Sequence, residues 1–396
     1  MTFQNTGLFS SNFLATRRAH PIRDKRILRG LRHSALGEKA LHQSRGLHRG
    51  AEYLNRCVIF ESIGDRPAME DAHYASPCCP SSDRPALPLK TNVFAVIDGC
   101  GGHEGGDLAG KIAAQLTRDA HQSARFFEPP FWTRASSSLP LGNLSLHRFL
   151  ADRLLLHLEN VNDAILCLSL PGLDLSDMHN ALEMQLPAVL ALQRSWKGNL
   201  PLTKAFRAAI ERGEEFPEGP KAAAAFCLSY GNLIVCANIG DCRSWRFVRN
   251  LDKAGFRGEC LSLDDTLYGA EYALKICNAA PVDDAGGTSG LTRALGCLDT
   301  KQWLRQDPRE RLYFRYLSPT DIVLLCSDGF YGRFWAEHGF YPTDHLADII
   351  ASSHSHNVRE NLATAWASQP KLLYRNDEAM QLDNSTMLLA QTYGWY

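Results

Sequence analysis

The sequence predicts an α+β domain whose sheets pair segments that lie far apart in the chain. Runs rich in branched and aromatic residues, typical of strands, occur near both ends of the chain, as at Arg56–Ser62 and Ser385–Thr392. Segments with the apolar spacing of helices lie between these runs. Hydrophobic residues make up 45% of the 396 residues, which is enough for a sizeable core. These observations favour stacked layers of sheet and helix.

The elements of the first part of the chain follow from local patterns. Arg56–Ser62 is predicted as a strand, and the proline-rich stretch Ser76–Lys90 as a surface loop. The short apolar run Asn92–Asp98 predicts a buried strand. A glycine cluster at Gly99–Gly106 follows it, and the apolar spacing then predicts a helix over Asp107–Ala124.

The second part of the chain begins with a Leu- and Ala-rich region, which predicts a helical insertion near residues 125–215. Phe226–Ser229 and Leu233–Asn238 flank a short turn sequence and predict a β-hairpin. The remaining predicted elements are strands at Arg311–Leu317, Ile322–Cys326 and Ser385–Thr392, and helices at His345–Ser353 and Val358–Ser368.

Charge is distributed unevenly along the chain. Residues 1–50 carry ten Lys or Arg against two acids, whereas the remainder is mildly acidic. We interpret residues 1–50 as a basic, disordered arm and residues 51–396 as one domain. The arm lacks the apolar segment of a secretory signal, but its Arg-rich composition leaves organelle import, secretion or binding to an anionic partner open. A basic tail alone does not predict nucleic-acid binding, and none is expected here.

Hydropathy and cysteine usage restrict the compartment. No stretch of about 18 uninterrupted apolar residues occurs, so no membrane-spanning helix is predicted. The twelve cysteines are scattered and contain no Cys-x-x-Cys pair, which argues against a zinc site and against a small disulfide framework. Reduced cysteines in the cytoplasm are the expected state. The sequence predicts no oligomeric state.

Four acidic residues lie at or near the ends of predicted strands. Asp98 and Asp328 follow apolar runs, Asp383 precedes one, and Glu70 comes after the first strand. A single Asp at a strand end is more often a turn former than a ligand. Several carboxylates that point towards one place, however, suit Mg²⁺ or Mn²⁺, because these hard cations prefer oxygen ligands.

Six short motifs surround these acids in a fixed order. They are Arg66-Pro-Ala-Met-Glu70-Asp71-Ala-His73, Val96-Ile97-Asp98-Gly99-Cys100-Gly101-Gly102, Asn238-Ile-Gly240-Asp241-Cys-Arg243, Leu291-Thr-Arg293-Ala-Leu-Gly296, Leu325-Cys-Ser327-Asp328-Gly329 and Asp383-Asn384-Ser-Thr386. Together they resemble the motifs of the PPM-type (type 2C) metal-dependent serine/threonine protein phosphatases, and the chain looks like a divergent member. The resemblance implies a two-sheet antiparallel β-sandwich flanked by helices.

The resemblance also implies a reaction and the residues that carry it. Two Mn²⁺ or Mg²⁺ ions would activate water to hydrolyse phosphoserine and phosphothreonine in a phosphoprotein substrate. Arg66 would bind the substrate phosphate, and Asp71 would hold a water. The implied metal ligands are Asp98 between both ions, the carbonyl of Gly99, Glu70 on one ion, and Asp328 and Asp383 on the other.

The motifs depart from the family pattern at several positions. Cys100 stands where the family has a histidine that is assigned as general acid, and a thiol is a poor substitute. His103 and His73 are alternative proton donors. Cys297 and Gly332 replace two family aspartates, which puts a third metal site in doubt.

Two other functions were weighed against metal-dependent hydrolysis. A cysteine-based phosphatase needs an arginine six positions after its cysteine, and neither Cys100 nor Cys326 has one. A phosphatase-like pseudoenzyme that binds a partner without turnover is supported by Cys100 and opposed by the complete set of carboxylates. The stretch Leu261–Ala280 resembles the start of the family's flap, a segment that often affects substrate choice, but a shortened version follows it. The resemblance therefore does not predict the substrate.

Overall fold

A computed structural model gives the structure of the protein. It describes residues 56–76, 91–100, 105–122, 126–129, 140–168, 219–250, 255–266, 291–306, 311–318, 320–334, 342–353, 357–369 and 383–391. The chain divides after Ala51, and all of these residues belong to the unit Glu52–Tyr396. The predicted arm at residues 1–50, His103 and much of the predicted insertion lie outside the described residues.

The described strands form two antiparallel sheets of five strands each. In chain order the strands are β1 (Arg56–Ser62), β2 (Ala72–Ala75), β3 (Thr91–Gly99), β4 (Ala222–Tyr230), β5 (Leu233–Ile239), β6 (Arg243–Arg249), β7 (Phe256–Cys260), β8 (Tyr313–Tyr316), β9 (Ile322–Cys326) and β10 (Ser385–Gln391). The first sheet has the order β1-β10-β9-β6-β7, and the second β2-β3-β4-β5-β8. The pairing of β1 with β10 joins the two ends of the described chain.

Helices accompany both sheets. The described ones are α1 (Gly106–Gln122), α2 (Pro140–Cys167), α3 (Leu298–Arg305), the short turn α4 (Asp328–Tyr331), α5 (Thr343–Ser352) and α6 (Val358–Ser368), with a 3₁₀ turn at Gly332–Phe334. None of the helices in the described ranges is long and apolar enough to cross a membrane.

Side-chain alternation along the strands builds the layers. In β3, Val93, Ala95 and Ile97 pack towards α1 and α2, whereas Phe94 and Val96 pack between the sheets. Successive strand residues point to opposite faces, so one strand contributes to two apolar layers. The first sheet does the same, with its outer face packed under α5 and α6. The predicted two-sheet sandwich flanked by helices is thereby confirmed.

Most predicted elements are present, and the differences are local. The strands at Arg56–Ser62 and Ile322–Cys326 and the helix at Val358–Ser368 have the predicted bounds. Most of the described part of the predicted insertion is α2, which packs with α1 in the core beside the second sheet. The strands β2, β6 and β7 and the helix α3 were not predicted.

Candidate metal centre

The predicted site residues come together at one end of the sandwich. Asp98 lies near the end of β3, Asp328 begins α4 directly after β9, and Asp383 precedes β10. Glu70 and Asp71 lie just before β2. Because β9 and β10 belong to one sheet and β2 and β3 to the other, the strand ends bring these acids to the seam between the two sheets.

Four aspartates form the centre of the site, and we call Asp71, Asp98, Asp241 and Asp328 the carboxylate cluster. Burial is the largest cause of a raised pKa in each of them. The pKa of Asp98 is raised well above its usual value, and the carboxylates of Asp71, Asp328 and Asp241 raise it further by repulsion. Burial and the Asp328 carboxylate raise the pKa of Asp71 to about 7. Negative charge is therefore concentrated where water stabilises it poorly.

Hydrogen bonds hold Asp71 across the seam between the sheets. The hydroxyl of Ser327 donates to Asp71 Oδ2 at 2.8 Å, and the same hydroxyl accepts the backbone N–H of Thr386 at 2.9 Å. Asp71 precedes β2 of the second sheet, whereas Ser327 directly follows β9 and Thr386 lies in β10, both strands of the first sheet. This link fixes the carboxylate of Asp71 beside that of Asp98.

A rim of charged residues lies beside the carboxylate cluster. The Arg66 guanidinium donates to Asp383 Oδ2 at 2.8 Å, and both side chains are partly exposed. Burial raises the pKa of Glu70, and the nearby Arg66 opposes that rise. The predicted phosphate-binding arginine and two predicted metal ligands are therefore close neighbours.

The backbone at Gly99 passes very close to its surroundings. A Cβ atom at this position would lie 2.2 Å from the carbonyl oxygen of Gly106 and 2.9 Å from that of Glu70. The Gly99 N–H donates to the Glu70 carbonyl at 3.3 Å. A glycine is required here, because any side chain would push apart the segments that carry Asp98 and Glu70.

The carboxylate cluster is suited to a divalent cation. Among the described residues, the buried atoms without a hydrogen-bond partner include Asp71 Oδ1 and Asp328 Oδ1. Buried oxygens of this kind are costly unless they are paired or bind a metal. All donors are hard carboxylate oxygens, the ligand type that Mg²⁺ and Mn²⁺ prefer. In the described ranges, no three His, Cys, Asp or Glu side chains are grouped, as they stand, so that they could hold a metal ion.

The candidate proton donors differ in their positions. Burial, followed by repulsion from Asp241 and Cys297, raises the pKa of the Cys100 thiol, so it is a weak acid. His73 is engaged elsewhere, since its Nδ1 lies 2.8 Å from Glu61 Oε1 at the exposed edge of the sandwich. The predicted alternative at His103 lies outside the described residues. A weak thiol acid next to the cluster is a poor general acid at neutral pH.

One member of the carboxylate cluster and one neighbour of the site were not predicted as site residues. Asp241 follows β5 at a turn, and its carboxylate raises the pKa of Asp98. Asn384 is fully buried and hydrogen-bonds to the segment that carries Arg66 and Glu70. Both belong to the six quoted motifs, so their position in those motifs was the available signal.

Comparison with solved structures identifies the architecture. The serine/threonine phosphatase Stp1 from Staphylococcus aureus is 15% identical, with a TM-score of 0.50, and the match covers 88% of this chain and 100% of that one. The serine/threonine phosphatase of S. agalactiae is also 15% identical, with a TM-score of 0.50 and coverage of 85% and 99%. No family model and no curated protein matches the sequence. The ordered motifs and the two-sheet architecture identify the fold as that of the PPM-type serine/threonine phosphatases, from which this chain diverges strongly in sequence.

Proposed function

We propose that the protein hydrolyses phosphoserine and phosphothreonine in phosphoprotein substrates with two bound Mn²⁺ or Mg²⁺ ions. The observation that carries this proposal is the carboxylate cluster, in which burial raises the pKa of every member and repulsion from Asp328 adds to the rise in the other three. Buried acids that served only the fold would be expected to have cationic partners, as Asp321 has in Arg246 at 2.5 Å. The cluster instead has the character of a cation site.

The proposed ligands are those that the resemblance implies, and the grouping of these donors at one end of the sandwich supports the assignment. The carboxylates of Asp71 and Asp328 both raise the pKa of Asp98 by repulsion, and Asp98 would contact both ions. Glu70 and the Gly99 carbonyl would hold one ion, and Asp328 and Asp383 the other. When bound, two such ions would polarise the phosphoryl group and lower the pKa of a water.

The side chains around the ligands would orient the reactants. Asp71, fixed by the Ser327 hydroxyl at 2.8 Å, can accept a hydrogen bond from the attacking water. Arg66 is partly exposed at the rim and can direct its planar guanidinium to two phosphate oxygens. Its donors would also offset charge that develops on the phosphoryl oxygens during the reaction.

Hydrolysis of a phosphothreonine peptide by the purified protein tests the proposal. We expect phosphate release that requires Mn²⁺ or Mg²⁺ and stops when EDTA removes the metal. Calorimetric titration with Mn²⁺ in the absence of substrate tests metal binding separately from turnover. Metal binding without turnover would favour the pseudoenzyme that Cys100 suggests, whereas failure to bind metal would contradict the proposed metal centre itself.

Restoring the family histidine at Cys100 should accelerate the reaction. An imidazole titrates near neutral pH, whereas burial raises the pKa of the thiol and makes it a weak acid. We expect Cys100→His to raise kcat by about 10- to 100-fold, at the lower end of the usual effect of a general acid. Cys100→Ser, which has the size of the thiol but no useful acidity, is the control. If both variants had the wild-type kcat, the leaving oxygen would take its proton from another group.

A further inference from the structure

We propose that Asn384 is a positioning residue that sets the reach of Arg66 towards the substrate phosphate. This inference rests on the proposed function, since it concerns how Arg66 serves that reaction. Asn384 itself would touch neither the phosphate nor the attacking water. It would act through the segment from Ile63 to Glu70, which we call the clamp loop.

The Asn384 side chain joins the two ends of the clamp loop. Its Oδ1 accepts the backbone N–H of Glu70 at 2.7 Å, and its Nδ2 donates to the carbonyl of Ile63 at 2.8 Å. The residue is 1% exposed, so water does not compete for these bonds. Arg66 lies between the two anchored residues, and its backbone position depends on both.

The clamp loop has little internal support of its own. The Arg66 N–H donates to the Ile63 carbonyl at a distance of 3.3 Å, and the Gly64 N–H donates to Ser62 Oγ at 3.3 Å. Pro67 and Ala68 are exposed rather than packed into the core. Hydrogen bonds at this length are weak, so the shorter bonds to Asn384 carry more of the loop's order.

Asn384 is itself held firmly at the metal centre. Its backbone N–H donates to Asp383 Oδ1 at 2.8 Å, while Asp383 Oδ2 accepts from Arg66 at 2.8 Å. A Cβ atom on Gly329 would lie 1.9 Å from the Asn384 carbonyl oxygen, so the two backbones are in close contact. The anchor of the clamp loop is therefore fixed to the segments that carry Asp328 and Asp383.

The chemistry of the two bonds requires an amide side chain. One end accepts from an N–H and the other donates to a carbonyl, and the planar amide of Asn carries both groups on one carbon atom. An aspartate would keep the acceptor for Glu70 and lose the donor for Ile63. Alanine would lose both bonds. The two replacements therefore release the clamp loop to different extents.

A double-mutant cycle with Arg66 tests the inference. At saturating Mn²⁺, Arg66→Ala in the wild-type background should lower kcat/KM for a phosphothreonine peptide by about 10- to 100-fold, as expected for hydrogen bonds to a charged group. In the Asn384→Ala background, Arg66→Ala should lower kcat/KM by no more than about threefold, because Arg66 is already misplaced. Asn384→Asp should give an intermediate value. In the Asn384 variants we expect KM for the peptide to rise and inhibition by inorganic phosphate to weaken in parallel.

Asn162→Ala is the matched control. Asn162 is also a fully buried asparagine whose side chain makes two hydrogen bonds to the backbone. Its Oδ1 accepts from the Gly296 N–H at 2.9 Å, and its Nδ2 donates to the Cys297 carbonyl at 3.3 Å. We expect the Arg66→Ala penalty to keep its full size in that background, even where thermal stability falls equally. An undiminished penalty in both Asn384 backgrounds would overturn the inference while leaving the proposed function intact. A wild-type protein without metal-dependent turnover would instead overturn the proposed function.

Discussion

Replacement of Asp98 by asparagine should abolish hydrolysis and at the same time stabilise the metal-free protein. The loss of a ligand shared by both ions should lower kcat by about 10³-fold or more. The gain in stability follows because burial and three neighbouring carboxylates raise the pKa of Asp98, so its charge is costly without a cation. We expect the free energy of unfolding to rise by about 1–3 kcal/mol at pH 8.

Asp321→Asn is the control that separates site acids from structural acids. Asp321 is fully buried, and it accepts bonds from Arg246 Nε at 2.8 Å and from the Ser318 N–H at 3.0 Å. Its replacement leaves Arg246 with only the longer ion pair to Glu259 at 4.0 Å and should destabilise the protein by about 3 kcal/mol while metal binding persists. Thermal denaturation in EDTA measures both variants. A destabilised Asp98→Asn protein would show that Asp98 is a structural acid.

The metal-free protein should lose stability as pH rises, whereas the metal-bound protein should not. Burial and the Asp328 carboxylate raise the pKa of Asp71 to about 7, and burial raises that of Asp98 well above its usual value. A folded-state pKa above the unfolded value favours folding at low pH, and this contribution is lost as pH rises through the folded pKa. The loss should therefore extend from about pH 4 to beyond pH 7.

Divalent metal should reverse this dependence, because it binds the deprotonated carboxylates of the folded state. We expect Mn²⁺ to raise the melting temperature more at pH 8 than at pH 5. Melting curves in EDTA and in Mn²⁺ across this range provide the measurement, with Ca²⁺-free buffers throughout. A melting temperature in EDTA that increases steadily from pH 5 to pH 8 would contradict the proposed electrostatics of the cluster.

The fold could be predicted where local pattern and burial agree. The run Ile322–Cys326 is apolar throughout, and all five residues are buried on both faces of the sheet. The strand β4 was predicted only in part, because its first residues are Ala222 to Ala225, and alanine favours helices over strands. Small side chains are needed there, since a Cβ atom on Gly240 would already lie 2.5 Å from Ala223 Cβ. Tertiary packing overrides local propensity at this position.

The strand β6 was missed for an electrostatic reason. Its sequence contains three arginines, which do not suggest a buried strand. Arg243 is nevertheless fully buried, because Asp264 accepts from both Nε and Nη2 and the guanidinium lies 3.6 Å from the Tyr331 ring centroid. Arg246 pairs with Asp321, which is 75 residues away. Partners at such distances cannot be recognised from the sequence of the strand.

The site could be predicted as a set of residues but not as an arrangement. The apolar runs beside Asp98, Asp328 and Asp383 predicted that these acids lie at strand ends, and the structure has them there. The hydrogen bonds that join one motif to another cannot be predicted from the sequence of either motif alone. The side chain of Asn384 bonds to the clamp loop that carries Arg66. The hydrogen bond to Glu70, for example, joins residues that are 314 positions apart in the chain. The role of these hydrogen bonds depends on the pairing of β1 with β10, which only the fold shows.

A crystal grown in Mn²⁺ and measured at the manganese absorption edge tests the central claim most directly. The proposed centre predicts two anomalous peaks about 3.5–4 Å apart. Asp98 should lie between them, with Glu70 next to one and Asp328 and Asp383 next to the other. An absence of anomalous density within bonding distance of Asp98 at saturating Mn²⁺ would contradict the proposed metal centre, whatever the protein's activity.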